Sequence, residues 1–263
     1  MHLTSKQFPG ETKLKIRENS LSALIVSVVL IAVTLGCNQS AETSTNSTTT
    51  TAPANSTSTP NVPSADDIAG TYDITGTNEN GAGAYKGTLA VTSRGDVYQF
   101  SWDTAGKKYD GVGVRTGNHV GVAFAEGDDG QGCGVVLYKV GSDGTLDGKA
   151  GYWGNNRSET ETATRIKGSG LEGEYKVKGS NTEGKPYEGD LTVGKKGAGY
   201  TFSWRAGSSF EGFGVQQADT VSVGFGGDKC GFVSYELKPG GTLDGKWGGY
   251  GSTAVGTETA KKR

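Results

Sequence analysis

From residue 68 onward the sequence is written twice, and this repetition limits the fold more than any other feature. The first copy runs from about Ile68 to Ile166, the second from about Leu171 to Lys261. YKGTLAV at 85–91 returns as YEGDLTV at 187–193, and VYQFSW at 97–102 as GYTFSW at 199–204. YDGVGV at 109–114 returns as FEGFGV at 210–215, and CGVVLYKV at 133–140 as CGFVSYEL at 230–237. GTLDGK recurs unchanged at 144–149 and 241–246, and TET at 160–162 comes back at 257–259. A period of roughly 100 residues is that of a duplicated domain, longer than the units of a solenoid.

Within each copy the hydrophobic pattern has period two. Tyr98, Phe100 and Trp102 fall on one face, as do Tyr200, Phe202 and Trp204 in the second copy. Val120, Val122 and Phe124 alternate with Gly121 and Ala123, and Val221, Val223 and Phe225 repeat the pattern. Such alternation marks strands with one buried face. Turn clusters such as Asn80-Gly81, Arg94-Gly95-Asp96 and Asp143-Gly144 separate them, because Gly, Asn and Asp accept the positive φ of tight hairpins. The chain's 45 glycines obey no Gly-X-Y period, so collagen is excluded and close-packed, sharply turning strands are favoured. The expected fold is all-β: two tandem antiparallel meander domains of about eight strands, residues 67–167 and 168–263. Each is expected to close as an up-and-down barrel, which leaves no exposed edge, with a β-sandwich as the second choice.

The first 66 residues read differently. Lys6, Lys13, Lys15 and Arg17 precede an uncharged run from Leu21 to Gly36, too short for the roughly 20 residues of a membrane span. It has the form of a signal-peptide core. The run ends at Gly36-Cys37, which resembles a bacterial lipoprotein signal in which a small residue precedes the lipidated Cys. Thr34 stands where that class usually has Leu. Residues 1–36 are therefore expected to be a signal peptide and Cys37 the lipid anchor. An uncleaved anchor and an ordinary cleaved signal are the alternatives. Residues 37–66, almost all Ser, Thr, Asn, Ala and Pro, hold too little apolar surface for a core and read as a disordered tether. The expected location is the cell envelope. Asn38 hints at the outer membrane, because it is not an Asp-type retention signal.

The order G-x-Y-x-[VI]-x-G, N-x-x-G, Y-x-G-x-L-x-V, Y-x-F-x-W, [YF]-x-G-x-G-V, C-G-x-V-x-Y, G-T-L-D-G-K, T-E-T runs from Gly70 to Glu161 and again from Gly173 to Glu258. It is similar to a group of small exported bacterial domains, some described as fibronectin-binding proteins. That resemblance implies adhesion and assigns no binding residue. The architecture also looks like avidin and lipocalin barrels, an analogy that does not carry function.

Chemistry is sparse. The two histidines are His2, in the signal, and His119, at a turn where the second copy has Thr220. There is no Ser-His pairing, no HExxH helix, no Cys-x-x-Cys and no phosphate-binding Gly loop, and SDGTLDG lacks the spaced ligands of a calcium loop. No enzyme, metal or cofactor is expected. A net charge of −2 gives no nucleic-acid footprint. Asp147 and Asp244 are read as turn residues, and Glu161 and Glu258 as groups that sit on outer faces or pair with Lys149 and Lys246. A buried acid–base role is the alternative. Cys133 and Cys230 are expected to be small buried apolar residues, with a cross-domain disulfide as the second reading.

The aromatics leave two uses open. Tyr98, Phe100, Trp102, Tyr200, Phe202 and Trp204 either fill the barrels or line a ligand cup at the mouth. Tyr152, Trp153, Trp247 and Tyr250 lie in Gly-rich segments and are candidates for an exposed surface that stacks on a glycan or an extracellular protein. The expected function is a non-enzymatic binding or adhesion module, membrane-held through its lipid, with avidity from duplication. A carrier of a small apolar ligand and a purely structural envelope protein are the alternatives.

Overall fold

The computed structural model describes residues 67–263; the expected signal peptide, Cys37 and tether lie outside the described residues. Among the described residues sixteen strands follow one another, with one short 3-10 turn between the first two. The first repeat supplies β1 (Gly70–Thr77), β2 (Ala84–Arg94), β3 (Val97–Thr104), β4 (Lys107–Thr116) and β5 (His119–Glu126). It continues with β6 (Gly134–Val140), β7 (Leu146–Tyr152) and β8 (Glu159–Ser169). The second repeat supplies β9 (Glu172–Ser180), β10 (Pro186–Lys196), β11 (Gly199–Ala206), β12 (Ser208–Gln217) and β13 (Thr220–Phe225). It ends with β14 (Gly231–Lys238), β15 (Thr242–Gly248) and β16 (Gly256–Lys262). All neighbours are antiparallel and both sheets close as eight-stranded barrels.

The barrels do not coincide with the repeats. Barrel one is β1–β5 closed by β14–β16, and barrel two is β6–β13. The expected division at residues 167/168 therefore describes the repeats but not the folded units: each repeat gives five strands to one barrel and three to the other. β5 pairs with β14 (Val122 opposite Val233), and β13 pairs with β6 (Val223 opposite Val136). The physical reason is that β6 and β14 are copies of one sequence, so either satisfies the exposed edge of either barrel. The connections at 127–133 and 226–230 carry the chain across to the other barrel.

The two connections cross in contact. A Cβ on Gly226 would lie 1.9 Å from the carbonyl oxygen of Gly132, and Gly226 has φ +118°, so only glycine is accommodated at the crossing. Beside it Cys133 and Cys230 form a disulfide. This corrects the expectation of two unpaired cysteines, which assumed that equivalent sites on separate barrels would point apart. Other equivalent positions also meet. The His119 ring and the Thr220 hydroxyl are 3.2 Å apart, and a Cβ on Gly121 would come within 2.7 Å of Ser222 Oγ. Equivalent residues touching one another define a pseudo-twofold relation between β5 and β13.

Strands at this axis are buried on both faces. Every residue of β13 is buried, as are most of β5. One face enters a barrel; the other joins Val112, Val114, Ala123, Ala125, Val135 and Leu137 in a cluster between the barrels. Within the barrels the alternation is as the sequence implies. Phe100 and Phe202 are fully buried, each stacked between a tryptophan (Trp102, Trp204) and a tyrosine (Tyr235, Tyr138).

Closing a loop of this length (sequence separation 97) restrains the unfolded chain. Replacing both cysteines, Cys133→Ser with Cys230→Ser, should cost about 2–5 kcal/mol. Urea unfolding should show this as a lower midpoint with a β-rich circular dichroism spectrum retained. An unchanged midpoint would mean that the bridge does not form.

Candidate functional site

Both barrels are open at the same end, and the cavities there are built from equivalent positions. The mouth of barrel one holds a cavity of about 340 Å³ lined by residues that include Tyr85, Trp102, Tyr109, Phe124, Trp247 and Glu258. The mouth of barrel two holds about 280 Å³, lined by residues that include Tyr152, Tyr187, Trp204, Phe210, Phe225 and Glu161. The far ends are plugged: Ile68 and Leu171 are buried in the two cores and receive hydrogen bonds on their carbonyls from Tyr72 (2.6 Å) and Tyr175 (2.7 Å). Burial pushes the Tyr72 hydroxyl up to about 12.

A glutamate lies at the floor of each cavity. Glu258 is 5% exposed and accepts hydrogen bonds from the Tyr235 hydroxyl, the Trp102 indole (3.0 Å) and the Tyr85 hydroxyl (2.8 Å). Glu161, equally buried, accepts from the Tyr138 hydroxyl, the Trp204 indole (3.1 Å) and the Tyr187 hydroxyl (2.9 Å). Strand exchange assembles each cluster from both repeats: Tyr85 and Trp102 come from the first, Tyr235 and Glu258 from the second.

This corrects the outward or lysine-paired reading of Glu161 and Glu258. In β8 and β16 each glutamate is two residues before an alanine, Ala163 or Ala260, that is fully buried in a core. Period two puts the glutamates on the same inward face, a signal already present in the repeated T-E-T-A. Asp147 and Asp244 are exposed on the outer faces, each 3.3 Å from a threonine hydroxyl.

The expected stacking surface is dispersed. Trp247 and Tyr152 are half-buried in the barrel walls and line the two cavities. Trp153 packs against the cluster between the barrels, and its indole donates to Asp110, itself buried with Ser101 (2.7 Å) and Gln99 (2.9 Å) as further donors. Tyr250, the only one of the four that is exposed, stacks edge-on to Phe213 at 4.5 Å. The physical reason is that Tyr152 and Trp247 lie in the wall strands β7 and β15 and turn into a barrel, while Trp153 and Tyr250 lie just past those strands and reach residues of the other barrel, Asp110 and Phe213. Trp102 and Trp204 belong to the cavity floors, Phe100 and Phe202 to the cores, and Tyr98 and Tyr200 are half-buried near the plugged ends.

No family model, curated protein or solved structure matches this chain. What the clusters can do follows from their own chemistry. A carboxylate has about four acceptor positions, and three are used on each glutamate, leaving one on Oε2. Burial, reinforced by the adjacent glutamate, holds the protons of Tyr235 and Tyr138 far more tightly than usual. They act as fixed donors near neutral pH. In barrel one the Trp247 indole nitrogen is buried in the wall without a hydrogen bond of normal geometry.

Burial raises the Glu258 carboxyl above its ordinary value near 4.5, against the pull of its three donors. A folded-state pKa above the unfolded one means that the native state binds the extra proton. Its contribution to stability is full below about 4.5 and is lost as pH rises through the raised value. The stability difference between wild type and Glu258→Gln, from urea midpoints at pH 4 to 8, should therefore shift in favour of the variant with rising pH. A pH-independent difference would contradict the sign.

Proposed function

We propose that this chain is a non-enzymatic binding protein of the cell envelope that holds small ligands in two cups, one at the mouth of each barrel. One observation carries the reading: the same open cavity over a buried glutamate with an unused acceptor position is built twice. Taking a carboxylate out of water is expensive, and a core selected only for stability does as well or better with an apolar residue. Here the cost is borne in both barrels, at the end that opens to solvent. The aromatic walls supply apolar area and the glutamate supplies orientation, the usual division of labour in a small-molecule site. The envelope location rests on the Leu21–Gly36 run and Cys37.

Adhesion through stacked surface aromatics has less support, because three of the four side chains proposed for it are engaged in the walls or between the barrels. Trp102, Trp247 and Trp204 line the cups and report on occupancy. Titration with a panel of small aromatic and polar metabolites should give a saturable change in tryptophan emission and up to two ligands per chain. The same ligand should stabilise the fold by about 2.7 kcal/mol per occupied cup at 100 times its Kd. If no compound changes the emission while an immobilised matrix protein captures the chain, adhesion takes the place of this reading.

A further inference from the structure

We propose that the cup of barrel two is a site for an organic ammonium ion, with Glu161 as its buried counter-charge. The proposal rests on the reading of the cups as ligand sites and adds the chemistry of one ligand. Two carboxylates line this cup, Glu161 at the floor and Glu159 nearer the rim, and no lysine, arginine or histidine lines it. Glu159 is held in place by the backbone N–H of Thr182 at 3.2 Å. The lining between them is largely aromatic, with Tyr152, Tyr187, Phe210 and Phe225 beside Trp204, which is itself stacked between Phe202 and Phe210. An alkylammonium group sets its carbon chain against such rings and its charge against a desolvated carboxylate. The open acceptor position on Glu161 Oε2 then takes an N–H from the ligand.

Other ligand classes fit less well. An anion meets two carboxylates. A purely apolar ligand leaves the free acceptor of Glu161 buried and unsatisfied, a cost that a ligand N–H removes. An inorganic divalent cation needs six or more oxygens for calcium. Glu161 has already committed most of its acceptor capacity to Tyr138, Trp204 and Tyr187, and no group of three metal-binding side chains occurs among the described residues.

The equivalent cup sharpens the assignment. At the positions of Glu159 and Ser208, barrel one has Gly256 and Lys107. Its mouth thus lacks the second carboxylate and carries an ammonium of its own, 3.6 Å from Glu126. A monovalent amine therefore prefers barrel two, and the duplication has produced two cups of different charge.

The test is calorimetric titration of the full chain with 2-phenylethylamine at pH 7, against 2-phenylethanol as its neutral counterpart. The amine should bind at least tenfold more tightly than the alcohol. Ser208→Lys, an exposed change at the rim of the cup, should weaken the amine at least fivefold more than it weakens the alcohol. Glu161→Gln should remove the preference, and Glu258→Gln should not. Equal binding of amine and alcohol overturns the ammonium assignment while leaving the cups as ligand sites. Loss of amine binding in Glu258→Gln alone places the site in the other barrel and also overturns it. No binding of either compound overturns both this inference and the reading beneath it.

Discussion

Everything distinctive about this molecule depends on two chain segments that cross. At the ends of β5 and β13 the chain could turn back and close each repeat on itself. Instead the connections pass over one another, close enough that Gly226 has no room for a Cβ, and deliver β6–β8 and β14–β16 to the opposite barrels. The hydrogen bonds of a closed barrel are the same either way, since the incoming strands are sequence copies. What the crossing adds is linkage. Neither barrel can open along β5–β14 or β13–β6 without disturbing the cluster between the barrels, and the Cys133–Cys230 disulfide sits at the point where the exchange would have to be undone.

The same exchange determines how the cups are made. Tyrosine and tryptophan donors from one repeat meet a glutamate and a second tyrosine from the other, so each buried carboxylate is hydrogen-bonded across the repeat boundary. A buried charge is tolerable only when its acceptor positions are filled by well-placed donors. Three of roughly four are filled, which ties the fourth to whatever occupies the cavity. The rims then diverged, with Lys107 on one and Glu159 on the other. Duplication without exchange would have built each cup within one repeat; with it, each cup draws residues from both repeats.

Much of the fold was legible in the sequence. Period-two alternation, Gly/Asn/Asp turns and the repeat length pointed to the strands, their number and the hairpins, because these are local signals, and eight such strands can close as a barrel. The exchange was not legible, because pairing of β5 with β6 and with β14 puts nearly the same side chains in register. One weaker signal did point to it: Val112, Val114, Ala123 and Leu137 put apolar groups on the face that a free barrel would turn to water. Trp102 and Trp204 were placed among alternatives that included the cups. The glutamates were misread because residue type was allowed to outweigh period: the alternation of Glu161 with Ala163 assigns the face, whatever the charge.

The central claim is that β1 closes barrel one against β16 and not against β8. Thr75 lies opposite Thr259 in the β1–β16 pair, whereas the equivalent first-repeat residue, Thr162, lies in the other barrel. Two double variants, Thr75→Cys with Thr259→Cys and Thr75→Cys with Thr162→Cys, would be oxidised at low concentration and mapped by peptide mass spectrometry. The exchanged architecture predicts an intramolecular bridge in the first and none in the second; a bridge in the second without one in the first would contradict it.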